Sequence, residues 1–160
     1  MSDLLHNHTA VTPGAMPETA TARAVAFFEA LTPASLGSLS TLYTADARFK
    51  DPFNEVRGLS AIHGIFSHMF AALDAPRFVV TEAIAQGDQG GGNCFLAWDF
   101  EFYFKGQRKL QTIRGASHLR FNAAGLIDFH RDYWDAAEEL YEKLPVVGTL
   151  MRWLKRRVSR

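Results

Sequence analysis

The chain reads as an α+β domain: helices come first, then a curved antiparallel sheet. Two observations predict this. Apolar residues recur with a helical period as far as Leu73, and after Pro76 the period falls to two and holds to Trp134. The period-two runs are joined by short segments with Gly and Asn, the pattern of hairpins rather than of helical crossovers.

Residues 1–17 are small and polar, with Pro13 and Pro17, and read as a flexible tail. A first helix runs from Glu18 to Leu31, with Ala22, Val25, Ala26, Phe28 and Leu31 at helical spacing, and Thr32-Pro33 stops it. Ser35 starts a shorter helix through Tyr43. Arg48 to Pro52 is a short strand. Gly58 to Leu73 is a third helix, capped near Ser60, with Ile62, Ile65, Phe66, Met69 and Phe70 apolar. Four strands follow as a meander: 78–86, 94–104, 108–121 and 126–134. From Asp135 the spacing is helical again, and a basic amphipathic segment, 138–160, is appended to the domain of residues 18–137.

A length of 160 residues suits one domain. Lys+Arg and Asp+Glu both total 17, so no global charge draws the chain to nucleic acid, and no specific nucleic-acid partner is expected. One cysteine, Cys94, excludes an internal disulfide and makes a cytoplasmic home the simplest reading. The N-terminus lacks a basic region leading into an apolar core, so no signal peptide is expected. No run of about 18 apolar residues exists to span a membrane. Thirteen phenylalanines suggest a core or pocket with aromatic walls.

Strand parity selects the candidate site. Trp98, Phe100, Phe102 and Phe104 alternate with Asp99, Glu101 and Tyr103, and burial favours the aromatic set facing the helices, at about 1.5–3 kcal/mol each. Folding back at Gly106 sets Asp99 beside Arg114 and Glu101 beside Thr112, and turns Ile113, Ser117 and Leu119 inward. In the last strand Trp134 turns inward and takes Asp132, His130 and Asp128 with it. Phe49 and Asp51 share a face of the first strand. Asp51 is then a general base beside a buried aromatic, or the residue that starts a turn before Pro52. Two acids and an imidazole on an aromatic wall must be hydrogen-bonded to one another or functional. Asp51, His130 and Asp132 are therefore the catalytic candidates, expected in one cavity with Trp134 and Phe102.

These residues resemble a known family. The run Leu42-Tyr43-Thr-Ala-Asp46-Ala-Arg48-Phe49-Lys50-Asp51-Pro52-Phe53, the Gly58 helix and the strand ending Tyr133-Trp134 are similar to the SnoaL-like, or ketosteroid isomerase-like, branch of the nuclear transport factor 2-like superfamily. The resemblance covers about residues 18–137. It implies a cone-shaped sheet around helices, a pocket for a hydrophobic small molecule, and a homodimer. The Asp-Pro of ketosteroid isomerases matches Asp51-Pro52, but their oxyanion tyrosine falls on Phe27 and their oxyanion acid on Ser117. Since losing one such donor costs about 2.7–4 kcal/mol of barrier, steroid isomerisation itself is not expected. Trp134 matches a pocket aromatic. Arg131-Asp132-Tyr133-Trp134-Asp135 is similar to a limonene-epoxide hydrolase strand and puts Asp132 on a catalytic acid, although the strand that carries Asp99 and Glu101 holds no arginine to complete that set. The expected pocket wall is Phe27, Tyr43, Phe49, Trp98, Phe100, Phe102, Ser117 and Trp134.

No cofactor and no metal is expected. Gly90-Gly91-Gly92 lies between strands, not at a helix start. His6 and His8 have no further ligand nearby, and His63 and His68 stand at i, i+5, off one face. In the basic segment Leu150, Met151 and Leu154 share a side while Arg152, Lys155, Arg156 and Arg157 supply charge. It packs on the cone or a dimer partner, or residues 150–160 make a peripheral membrane contact. Two functions remain open. One is an isomerase, cyclase or hydrolase of a hydrophobic small molecule with Asp51 as base. The other is a non-catalytic binding protein for a lipid-like or polyketide-like ligand.

Overall fold

Thr19 opens the first helix. Its Oγ1 accepts a hydrogen bond from the Ala22 amide at 3.0 Å, which satisfies one of the free donors of a helix start. The computed structural model describes residues 19–87 and 91–139; the expected N-terminal tail, and the basic segment from residue 140 on, lie outside them. Helix α1 spans Ala20–Glu29 and buries Ala20, Ala24 and Phe28 on one stripe. Two long-range bonds dock it. Arg23 donates to the Gly125 carbonyl at 3.0 Å, and Glu29 accepts from the Val80 amide at 3.0 Å.

The second helix is a 3-10 helix, Ala34–Thr41, and it ends before Tyr43. Tyr43 instead opens strand β1, Tyr43–Lys50. Its inward residues are Tyr43, Ala47 and Phe49, and the small Ala47 is why the alternation is faint in sequence. A tight turn at 51–54 leads to β2, Glu55–Arg57, too short to leave a period of its own. Helix α2, Leu59–Ala72, is capped by Gly58 rather than Ser60. Gly58 sits at φ +95°, a left-handed conformation that glycine adopts without strain, and its amide donates to Ala47 at 2.8 Å.

Strands β3 (Leu73–Gln86), β4 (Gly92–Phe104), β5 (Leu110–Phe121) and β6 (Ile127–Tyr133) form the expected meander, and α3 (Ala136–Glu139) follows. The sheet order is β2-β1-β6-β5-β4-β3, curved and unclosed; the four strands of the meander are joined by β1, which takes the place of the short strand expected at 48–52, and by β2, which was not expected. β1 lies parallel to β6, and all other neighbours are antiparallel. This parallel pairing sets Phe49 opposite His130. The predicted register of β4 on β5 is observed, with Asp99 opposite Arg114 and Glu101 opposite Thr112. Cys94, Leu96, Trp98, Phe100 and Phe102 are buried against the helices. No described helix is long and apolar enough to cross a membrane.

Gly115 stands opposite Trp98, and any β-carbon there would overlap the indole ring. We expect Gly115→Ala to push Trp98 off its seat and to cost about 1–3 kcal/mol, as overpacked cores do. Urea unfolding checks the cost, and the shift in tryptophan emission checks the cause.

Candidate active site

Strand β6 turns His130 and Asp132 toward the helices, two residues apart as period two requires. His130 is buried at 3% exposure. Phe49 and Phe28 press their ring edges on the imidazole at 4.8 and 5.5 Å between centroids. Such a setting demands partners for both ring nitrogens, and both have them. Nδ1 lies 2.6 Å from the Tyr43 hydroxyl, and Nε2 lies 2.7 Å from Oδ1 of Asp132. From the other side Ser117 donates to the same Oδ1 at 2.5 Å, and Trp98 Nε1 donates to Ser117 at 2.8 Å. The register permits this convergence, because Ser117 stands opposite Asp132 across β5 and β6.

The proton positions follow. Tyr43 is buried, and desolvation, reinforced by the negative charge of Asp132, raises its pKa well above the ordinary tyrosine value. Tyr43 therefore keeps its proton. A carboxylate can only accept, so Nε2 of His130 donates to Asp132, and in the neutral imidazole Nδ1 is then the acceptor of the Tyr43 hydroxyl. Both donors to Asp132 end on Oδ1, and among the described residues none reaches Oδ2.

Two hollows meet at Asp132. The inner cavity, between Phe28, Phe66, Phe78, Val80, Leu96 and Trp98, also touches Ser117, His130 and Asp132. Its volume is about 20 Å³, room for one water. The outer groove, about 710 Å³, is bounded by residues 50–55 and 131–135 and is large enough for a small organic molecule. Asp132 alone lines both.

The expected cavity is thus divided. Asp51 lines the outer groove with Asp132 and Trp134, away from His130. Its Oδ1 accepts the amides of Phe53 and Asn54 at 2.7 and 2.6 Å, and its own amide donates to the Asn54 carbonyl. This is the turn before Pro52. The strand ends at Lys50, so parity no longer carries Asp51 to the face of Phe49. Trp134 meets Phe53 edge-on at the groove, at 5.3 Å. Phe28, not Phe27, faces the inner cavity; Phe27 is half-buried and packs edge-on against Phe28. The helical period of α1 already marked Phe28 as the core residue. Phe100 and Phe102 are buried but line neither hollow. Phe66, Phe78, Val80 and Leu96 were absent from the expected wall, although their periodicity points inward. Among the described residues no cluster of His, Cys, Asp or Glu is arranged to hold a metal ion.

The SnoaL-like domain profile matches residues 24–130, about two thirds of the sequence. The chain belongs to the SnoaL-like domain family. Solved structures share its fold. A hypothetical protein with a ketosteroid isomerase-like fold from Catenulispora acidiphila, in complex with trimethylamine, is 22% identical, with TM-score 0.63, covering 79% of this chain and 92% of its own. A candidate polyketide cyclase from Pseudomonas putida is 12% identical, with TM-score 0.62, covering 80% and 99%. A candidate SnoaL-like polyketide cyclase from Shewanella putrefaciens is 18% identical, with TM-score 0.60, covering 73% and 92%. No curated protein matches the chain. The SnoaL-like fold is therefore shared, while the Tyr43–His130–Asp132 chain is described from this protein's own geometry.

Tyr43→Phe removes one hydroxyl and leaves Nδ1 of a buried imidazole without its donor. We expect a loss of about 1–3 kcal/mol in urea unfolding. Nitrogen-15 spectra of the wild type should show a hydrogen-free Nδ1 on His130, and the variant should lose that fixed tautomer.

Proposed function

We propose that this SnoaL-like protein is an enzyme that abstracts a proton from a hydrophobic carbonyl compound, with Asp132 as the general base. The observation that carries the reading is the asymmetry of the Asp132 carboxylate. Oδ1 is held by His130 and Ser117, while Oδ2 has no donor among the described residues. A base needs a free lone pair on a group that cannot swing away, and this carboxylate has both. His130 is a positioning residue, because both its nitrogens are engaged.

The substrate class follows from where the polar hydrogens go. Those of Tyr43, His130, Ser117 and Trp98 are spent within the chain that ends on Asp132. None of these four is left to hold an enolate oxygen. The substrate must then carry an already acidic C–H, such as one between two carbonyls. Structural neighbours described as candidate polyketide cyclases and as a candidate isomerase of the SnoaL-like family support this class. The body of the substrate lies in the outer groove, with Phe53 and Trp134 as its apolar contacts, and the reacting carbon reaches Asp132 at the groove's inner end. Asp51 shapes the wall of that groove through its turn.

Deuterium uptake by aryl-substituted 1,3-dicarbonyl compounds, followed by NMR, tests the assignment. Asp132→Asn should slow protein-catalysed exchange about 100-fold or more, the usual contribution of a general base. Asp51→Asn should keep exchange within about tenfold, because its carboxylate serves the turn. Loss of exchange in Asp51→Asn alone would return the role to Asp51. Binding without exchange in the wild type would establish the chain as a ligand carrier.

A further inference from the structure

The outer face of β1, β2 and β6 carries an arrangement that folding alone does not favour. Arg48 stands directly opposite Arg57, and Lys50 directly opposite Arg131. Like charges in directly opposed positions repel and destabilise a sheet. The two pairs are adjacent, on the side of the sheet away from His130. Acids relieve part of the repulsion: Asp46 takes Arg57 at 2.8 Å, and Glu55 takes Lys50. Arg48 and Arg131 have no acid partner among the described residues; Arg131 lies over the Tyr133 ring at 4.7 Å. The field there is positive. The Glu55 carboxyl is held below its usual pKa, chiefly by Lys50 and further by Arg131 and Arg48. The four cations frame a groove of about 490 Å³ whose remaining lining is Glu55, Phe49, Val56 and Phe129.

We propose that this groove is a second site, for a phosphate-bearing ligand gripped by the guanidinium groups of Arg48 and Arg131. A phosphate suits it better than a lone carboxylate, because two planar guanidinium groups offer paired donors to its several oxygens. Lys50 and Arg57 add charge at the flanks, and Phe129 supplies an apolar floor. An occupant neutralises both opposed pairs, which accounts for the two arginines, Arg48 and Arg131, that no acid among the described residues pairs. The phosphate is carried by a free small molecule or by a lipid headgroup, and the same groups bind either. The site adjoins the outer groove assigned to the substrate, because Lys50, Glu55 and Arg131 line both, while Arg48, Arg57, Val56 and Phe129 belong to this groove and not to the other.

The test uses the full chain at low ionic strength with two probes. Inorganic pyrophosphate is titrated calorimetrically, and vesicles of phosphatidylcholine with or without phosphatidylglycerol are sedimented with the protein. Saturable pyrophosphate binding identifies a free ligand. Binding to phosphatidylglycerol vesicles alone identifies a headgroup. In either case the double variant Arg48→Gln/Arg131→Gln should weaken binding about tenfold or more, against a change below about threefold in the equally discharged Arg108→Gln/Lys109→Gln. The double variant should also melt no lower than the wild type, because it removes repulsion. Wild-type spectra give a second measurement that needs no variant: pyrophosphate or the vesicles should shift the Nε–H signals of Arg48 and Arg131 and leave that of Arg108. Failure of both probes, equal losses in the two double variants, or shifts spread over all arginines would overturn the site.

Discussion

Two arms of hydrogen bonds converge on a single oxygen, Oδ1 of Asp132. One arm runs from Trp98 through Ser117, the other from Tyr43 through His130. They tie β4, β5, β6 and β1 together on the inner face of the sheet. Each link is inside an aromatic core, where an unmade bond costs about 1–3 kcal/mol and bonds to a charged group count for more than neutral ones. The arrangement is also directional. Trp98 N–H can only donate and a carboxylate can only accept, so the end links of the arms point toward Asp132. The carboxylate is the terminus of both arms; its second oxygen has no donor among the described residues, and the residue lines both hollows.

This convergence depends on the pairing of β1 with β6. Had the sheet been the meander alone, β6 would be its edge, and His130 would have neither Tyr43 to hold Nδ1 nor Phe49 to cover the ring. The parallel strand closes that edge and buries the imidazole in one step. Gly115 does similar work on the other arm, since a bare backbone opposite Trp98 lets the indole lie flat and reach Ser117.

Much of this was legible in sequence, and the failures have physical causes. The meander and its register followed from strict alternation and one tight turn, which is why Asp99 and Glu101 were placed opposite the right partners. His130, Asp132 and Trp98 were assigned inward by the same parity. Parity failed at Asp51 because it holds only while a strand continues, and the turn at 51–54 begins one residue after β1 ends. Phe27 failed differently. It was carried by alignment with relatives, whereas the helix's own period pointed to Phe28. The pairing of β1 with β6 was not legible at all: it joins segments about 80 positions apart, and β1 shows only small or charged residues between Tyr43 and Phe49.

The same alternation that makes the site gives the sheet a second character on its other side. Along β6, His130 and Asp132 point in while Phe129 and Arg131 point out. Along β1, Phe49 points in while Arg48 and Lys50 point out. A one-residue slip of either strand would put cations against Phe28 and Phe66 and would expose the imidazole, so each face enforces the register of the other. This coupling limits where sequence can change freely. An apolar core alone would fix the inward set and leave the outward set to drift toward mixed charges that relieve repulsion. The outward set instead keeps cation opposite cation at two adjacent positions, while acids stand close by at Asp46 and Glu55. Core packing does not require that pattern, and the phosphate-bearing ligand proposed for the outer face would neutralise it.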